Sequence, residues 1–328
     1  MNKKNFFLQD HVFGPIRKQL GILSALLLLC ILLTFLSDSF LTSRNLFNVL
    51  RQIAVNVFLA CSMTIVIIHG GIDLSVGSII ALVGCVCAVL ITKLGVNVFV
   101  AIGLCIIIGA LVGSFNGLIA SRTTLPPFII TLATMNICRG LARVIVSNKT
   151  VVITNETYRF IGTGHIKDIP IHIFFIVIAI IVSAVILNKT TFGRNVYAIG
   201  GNRTAAVYSG INDKDVIFKI FLISGIFAAF AGILSSSRTM VGQYSLGDGA
   251  EMDAITAVVL GGTSMSGGVG TIGGTIIGCL IVGVLNNGMN LLGIDSSWQY
   301  VVQGAVVLIA VLIDFARKEG VFKRKRTD

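Results

Sequence analysis

The sequence is 328 residues long, 55% hydrophobic and only 12% charged, against about 25% charged residues in an ordinary soluble domain. With a mean hydropathy of +0.94, a fully water-facing exterior is excluded and a multi-span helical membrane protein is expected. A spanning β-barrel, which alternates apolar and polar residues over stretches of about ten, is set aside because no such alternation occurs.

The first 19 residues are polar and basic and lead into an apolar run at 20–37. The pattern superficially resembles a secretory signal, but the run is about the length of a full crossing and no A-x-A site follows, so a retained first helix is expected. Further charge-poor runs lie near 53–70, 78–92, 98–120, 127–147, 171–187, 218–236, 254–264, 271–289 and 298–315. The expected fold class is therefore an all-α integral membrane protein, a polytopic bundle of about ten transmembrane segments. Between Asp253 and Asp295 there is no charge at all, and the middle of that stretch reads Gly261-Gly-Thr-Ser-Met-Ser-Gly-Gly-Val-Gly270. A stretch too long for one crossing with a glycine-rich centre predicts a broken or re-entrant pair.

The net charge of +11 comes from Lys and Arg gathered between apolar runs, which marks topology rather than a nucleic-acid partner. Lys3, Lys4, Arg17 and Lys18 precede the first run, and Arg317, Lys318, Lys323, Arg324, Lys325 and Arg326 follow the last. Both termini are thus expected in the cytoplasm. The domain reading is a basic segment 1–19, a transmembrane domain 20–315 with a cytoplasmic loop 188–217, and a basic tail 316–328. Residues 237–253, with Asp248, Glu251 and Asp253 against Arg238, fall on the opposite side. Residues 148–169 also fall there, although Lys149, Arg159 and Lys167 outnumber Glu156 and Asp168.

Pro126, Pro127 and Pro170 support the starts of the fifth and sixth spans, since first-turn N–H groups are unpaired anyway. Many of the 36 glycines lie inside spans, and pairs such as Gly109 with Gly113 and Gly274 with Gly278 have the small-xxx-small spacing that lets helices approach closely in lipid. Gly113 to Asn116 and Gly283 to Asn286 share a G-x-x-N, weak support for a duplicated half.

Neither a phosphate-cradling G-x-x-x-x-G-K-[ST] nor a G-x-S-x-G or H-E-x-x-H occurs, so the chain is not itself an ATPase and no catalytic residue is assigned. The seven cysteines all lie in apolar runs without C-x-x-C, and the four histidines are scattered, so no metal site is expected.

Three segments carry the chemistry. In Gly70-Gly-Ile-Asp73-Leu-Ser75-Val-Gly77-Ser78 a carboxylate and two hydroxyls interrupt an apolar stretch. Asp73 or Ser75 caps the helix starting near Val76 or meets a transported polar solute, two compatible roles, since a carboxylate at that depth is costly alone. In Gly200-Gly-Asn202 to Ile211, Asn202 is a good N-cap and Gly210 a good C′ residue, bracketing about two turns of helix. Ala205, Ala206 and Ser209 share one small face, which seats either in a groove of another protein or on the bilayer surface. In Glu251 to Gly274 the glycine-rich backbone is a candidate pathway wall, with Glu251 and Asp253 just outside it, either as docking residues or as solvated charges.

These segments, in this order, resemble the permeases of bacterial ribose-type carbohydrate-uptake ABC transporters. The family's G-I-D-L-S-V-G-S is matched by Gly71 to Ser78, G-G-N-x-x-A-A-x-x-S-G-I by Gly200 to Ile211, E-x-D-A-I-x-A-V-V-L-G-G-T-S by Glu251 to Ser264, and L-N-N-G-x-N-L-L-G by Leu285 to Gly293. The resemblance implies a multi-pass protein of the bacterial inner membrane that moves a monosaccharide, most of all ribose, by alternating access. It implies a second permease copy, separate ATPase subunits that use ATP and Mg, and a periplasmic or lipid-anchored sugar-binding protein; this chain binds no cofactor. It makes Asn202, Ala205, Ala206, Ser209 and Gly210 a coupling helix for the ATPase. Pathway candidates are Asp73, Ser75, Ser78, Asn116, Thr263, Ser264 and Asn286, and docking candidates are Glu251 and Asp253. The rival class is an ion-coupled secondary sugar transporter, which would place ionisable groups within its spans; no carboxylate pair is evident there.

Overall fold

The computed structural model describes residues 3–167 and 169–318, with side-chain surroundings for most residues from 20 onward. The terminal basic side chains that set the expected orientation, and Asp168, lie outside the described residues. The helices are α1 (Lys3–Leu36), α2 (Ser43–His69), α3 (Val76–Thr92), α4 (Val98–Arg122), α5 (Pro127–Ile145), α6 (Glu156–Thr163), α7 (Ile171–Lys189), α8 (Thr191–Gly201), α9 (Arg203–Tyr208), α10 (Asp213–Thr239), α11 (Ala250–Leu260), α12 (Ile272–Leu291) and α13 (Ser296–Lys318). The only strands among the described residues are two antiparallel pairs: β1 (Val151–Val152) with β4 (Val241–Gly242), and β2 (His165–Ile166) with β3 (Ile169–Pro170).

Each of the ten expected apolar segments falls on a helix, and the three further helices, α6, α8 and α9, are short. Among the described residues, six helices are long and apolar enough to cross a membrane: α2, α4, α5, α7, α10 and α12. The chain is a multi-pass membrane protein. Most helix starts use the polar cap that the sequence supplies. Thr42, Asn97, Asn155, Thr190, Asn202, Asn212 and Thr271 each accept a first-turn N–H, satisfying donors that have no partner inside the helix. Pro127 opens α5 and Pro170 immediately precedes α7.

Burial sorts the helices. α2, α10 and α12 are mostly enclosed, whereas α4, α5 and α7 expose most of their apolar length. Side chains such as Phe35, Phe99 and Val144 stand fully outward, as expected where lipid replaces water. α10 lies along α4, α3 and α2, and α12 packs on α11, α2 and α1.

Contacts also sort the loops into two ends. At one end His69, closing α2, meets Asp213, opening α10, and Gly268 donates its N–H to the Ile68 carbonyl. At the other end Asn45 and Asn287 exchange reciprocal amide bonds of 2.9 Å, and β1 pairs with β4. Residues 69–70, 200–213 and 261–270 therefore share one end, as the alternation of spans requires.

Two pairs of helices are held at backbone distance by glycine. A Cβ on Gly113 of α4 would lie 3.0 Å from Gly225 Cα and 3.1 Å from Gly225 N on α10, and one on Gly117 only 2.8 Å from the Phe218 carbonyl. Gly278 of α12 faces Ala257 and Gly261 of α11 in the same way. Both Gly109 with Gly113 and Gly274 with Gly278 thus serve close packing. Gly113→Leu is expected to cost at least about 3 kcal/mol, because neither backbone can retreat. A thermal melt of the detergent-solubilised protein reads this as a large drop in midpoint or as failure to accumulate in the membrane.

The expected broken pair is present in a specific form. α11 has 11 residues, about 16 Å of helix, roughly half of a ~30 Å hydrocarbon core. Beyond it the glycine-rich segment 261–271 continues to the level of Ile68, with Gly262, Gly267 and Gly268 at positive φ, a conformation open to glycine at little cost. The segment between α10 and α11 also departs from the simple loop expected. It runs back down α3, with Gly242 beside Cys85 and Gly247 beside Gly77 and Ile80.

Candidate functional site

Asp73 lies on the short connection between α2 and α3, which Gly70 starts at φ 96°. Its Oδ1 accepts the Ser75 N–H at 3.0 Å and the Ser75 hydroxyl at 2.6 Å; its Oδ2 accepts the Ser224 hydroxyl at 2.7 Å. Behind Ser75 the chain of donors continues, with Asn116 Nδ2 donating to Ser75 Oγ at 3.0 Å and the Thr134 hydroxyl to Asn116 Oδ1 at 2.6 Å. The Ser78 hydroxyl donates to the Ser75 carbonyl at 2.7 Å. Thr131 of α5 receives the Leu74 N–H at 3.1 Å.

This network joins α3, α4, α5 and α10 and is fully enclosed: Asp73, Ser75, Ser78, Asn116 and Ser224 have no exposed surface. Its donors converge on one carboxylate, so the cost of burying that group is met by three hydrogen bonds and by the N-terminus of α3. Of the two sequence readings of this segment, simple side-chain capping is corrected. Ser75 occupies the N-cap position but makes no side-chain cap bond, because its hydroxyl is turned to Asp73. Ser224 lies about 16 Å along α10 from Asp213 at 1.5 Å per residue, which places Asp73 well inside the bundle.

Glu251 and Asp253 require a second correction. The sequence reading set them just outside the membrane, as docking residues or as solvated charges, yet both belong to α11. Glu251 is buried against Gly77, where a Cβ would lie 3.3 Å from its carboxyl carbon, and Asp253 is half-buried. The cause is the inward run of residues 240–249, which starts α11 inside the bundle. Arg139 of α5 fixes that run, its Nη1 donating to the Tyr244 and Leu246 carbonyls at 2.7 and 2.8 Å, while the Arg143 guanidinium lies 4.8 Å from the Tyr244 ring centre. A docking surface on Glu251 is thereby removed.

Two polar cavities flank the last turns of α12 at the end remote from His69. One, about 420 Å³, is lined by Asn45, Asn48, Arg51, Gln52, Arg238, Asn287 and Asn290 among others. The other, about 210 Å³, is lined by Asp248, Gly249, Asp253, Asn286, Gln299, Tyr300 and Gln303. The Leu285 to Gly293 motif thus gives Asn286 to one cavity and Asn287 to the other. Of the remaining pathway candidates, Thr263 and Ser264 are buried in the glycine-rich segment after α11, away from both cavities. Sequence reasoning missed Ser224, Gln299 and Gln303. The two glutamines, one helical turn apart in an apolar helix, offered a signal; Ser224 in a Ser- and Ala-rich helix offered none.

At the opposite end, Asn202 caps α9 by accepting the Ala205 N–H at 3.0 Å, and Gly210 follows the helix at φ 86°. Ala205, Val207, Tyr208 and Ser209 are exposed, Tyr208 at 89%. Ala206 is buried, so it does not share the outward face that the spacing assigned to it with Ala205 and Ser209. Arg203 Nε and Nη2 donate to Asp213 Oδ2 at 2.9 and 2.6 Å, and His69 Nε2 lies 3.4 Å from Asp213 Oδ1. Through Arg203, α9 is bonded to the start of α10, where Asp213 in turn meets His69 at the end of α2.

The model of the family described as branched-chain amino acid transport system / permease component matches residues 45–311. The chain is similar to the ribose import permease protein of Bacillus subtilis (strain 168), with 46% identity covering 92% of this chain and 94% of that protein. It is 41% identical to the ribose import permease protein of Escherichia coli (strain K12), covering 89% and 92%. An L-arabinose ABC transporter permease protein of Azospirillum brasilense is 35% identical, covering 91% and 88%. No solved structure matches the chain. A multi-pass bundle with a broken α11–α12 pair, matched over most of its length, belongs to the branched-chain amino acid transport system / permease component family.

Proposed function

We propose that this chain is the membrane-spanning permease subunit of an ABC importer for an aldopentose, ribose before others. The observation that carries the reading is the identity of 46% and 41% to ribose import permeases over about nine-tenths of each chain. The family description names amino acids, but these relatives name sugars, and ribose and arabinose share the aldopentose skeleton.

The chain holds no phosphate-binding loop, so ATP and Mg belong to a separate ATPase subunit and no cofactor is bound here. A second copy of the permease completes the pathway, and a soluble or lipid-anchored sugar-binding protein delivers the sugar at the end bearing the two polar cavities. The end bearing α9 faces the cytoplasm of the bacterial inner membrane, as do both termini. α9 receives the ATPase through Ala205, Val207, Tyr208 and Ser209. Closure of the ATPase pair moves α9, and the Arg203–Asp213–His69 contacts carry that movement to α2 and α10. The bundle then alternates between two states that the ATPase and the binding protein stabilise differently, which is all that coupling requires.

The substrate assignment is tested by uptake of labelled ribose into cells that express this chain with its ATPase and binding protein. Excess unlabelled ribose is expected to abolish the signal and arabinose to reduce it less. Uptake that only a branched-chain amino acid suppresses would overturn the sugar reading.

A further inference from the structure

We propose that the 210 Å³ cavity between α11, α12 and α13 is a hydroxyl-reading subsite on the sugar's path, with Asp253 and Asn286 at its floor. The proposal rests on the sugar-transport reading and adds to it a place where the permease itself distinguishes its cargo. The cavity's 210 Å³ would accommodate about seven waters at ~30 Å³ each, room for one small solute rather than a drug-sized ligand. Its walls carry two carboxylates, three amides and a phenol, with no aliphatic side chain among them.

That composition selects among ligands. A sugar hydroxyl both donates and accepts; a carboxylate takes two hydroxyl protons, and each amide offers a donor beside an acceptor. Asp253 Oδ1 and Asn286 Oδ1 are buried with no donor in hydrogen-bonding geometry; the amides of Asn56 and Asn286 lie near enough to stabilise the Asp253 carboxylate but do not complete that geometry. Two acceptors left unpaired in one place call for a donor, and buried polar groups are rarely left without one. A metal ion would need several oxygen or nitrogen ligands converging on a point, and no cluster of His, Cys, Asp or Glu able to hold one occurs among the described residues. Tyr300, largely exposed, adds an aromatic ring to the lining.

The position is also apt. Directly inward, α11 and α12 close on each other through Gly261, Gly274 and Gly278, so a solute in the cavity rests above a constriction. Gln299 is held in place by its bond of 2.8 Å to Asn290, in the same motif that supplies Asn286.

The test uses the complete transporter, this chain with its ATPase and binding protein, in proteoliposomes. Asp253→Asn and Gln303→Leu are each expected to lower ribose uptake at sub-saturating sugar by about tenfold, the worth of one hydrogen bond to a charged or buried polar group, while ATP hydrolysis persists. A second measurement needs no transport. With Cys30→Ser, the remaining native cysteines are buried, and Asn286→Cys is labelled from outside by an impermeant maleimide. Ribose is expected to slow labelling and sodium chloride at equal concentration to leave it unchanged. Unchanged uptake in both variants, or protection by sodium chloride alone, would overturn the subsite. Wild-type vesicles that take up no sugar while ribose still protects the thiol would overturn the transport reading and leave the subsite standing.

Discussion

Asp73→Ala is expected to lower the stability of the folded protein by about 3–5 kcal/mol, since it strips the common acceptor from three donors in a fully enclosed space, and each buried polar group left unpaired costs about 1–3 kcal/mol. The donors are the Ser75 N–H, the Ser75 hydroxyl and the Ser224 hydroxyl, and both serines are fully buried. Asp73→Asn keeps one acceptor oxygen and the shape, and the serine hydroxyls can rotate to accept from its amide, so a milder loss of about 1–2 kcal/mol is expected. Ser224→Ala removes one bond alone and is expected to cost about 1 kcal/mol. Melting midpoints of the three variants in one detergent, with protein amount in the membrane, read this order. A wild-type midpoint for Asp73→Ala would show that the carboxylate is not what holds α3, α4 and α10 together.

Ala205→Arg and Ala206→Arg are expected to fail in different ways, although the residues are adjacent. Ala205 points outward and Ala206 is buried under α9. Arginine at 205 leaves the fold intact but presents a long charged chain to the ATPase groove, so ATPase co-purification and ATP-driven uptake are expected to fall at least about tenfold, on the scale of an interface hot spot. Arginine at 206 has no room and no partner, so the permease itself loses a few kcal/mol, about the cost of an unpaired buried charge or an overpacked site. Co-purification and melting midpoint, measured on both variants, separate the outcomes. Normal uptake by Ala205→Arg would remove α9 from the coupling role.

The division between what the sequence disclosed and what it concealed follows from the range of the interactions. Apolar run length and polar caps are local, so the ten segments, the Asn202 and Gly210 brackets of α9 and the starts at Pro127 and Pro170 were legible. α2 was expected from residue 53 but begins at Ser43: its first turns carry Asn45, Asn48, Arg51 and Gln52, which read as loop residues and instead line the larger cavity. Charge misled again at Glu251, where an acidic residue ahead of an apolar run suggested a water-facing loop. Its burial depends on Gly77, far away in sequence, lacking a side chain. Asp73 was legible as an anomaly, but the network around it draws Ser224, Asn116 and Thr134 from three other helices. The facing of Ala206 likewise depends on what lies beneath α9, which its own spacing could not disclose.

The central claim is that sugar crosses through this chain at the expense of ATP hydrolysed elsewhere. It is tested most directly by ribose uptake into proteoliposomes that hold this chain, its ATPase and its binding protein, with ATP present or absent and with or without a protonophore. The account predicts uptake that requires ATP and resists the protonophore. Uptake that proceeds without ATP and collapses with the protonophore would contradict it and identify an ion-coupled carrier instead.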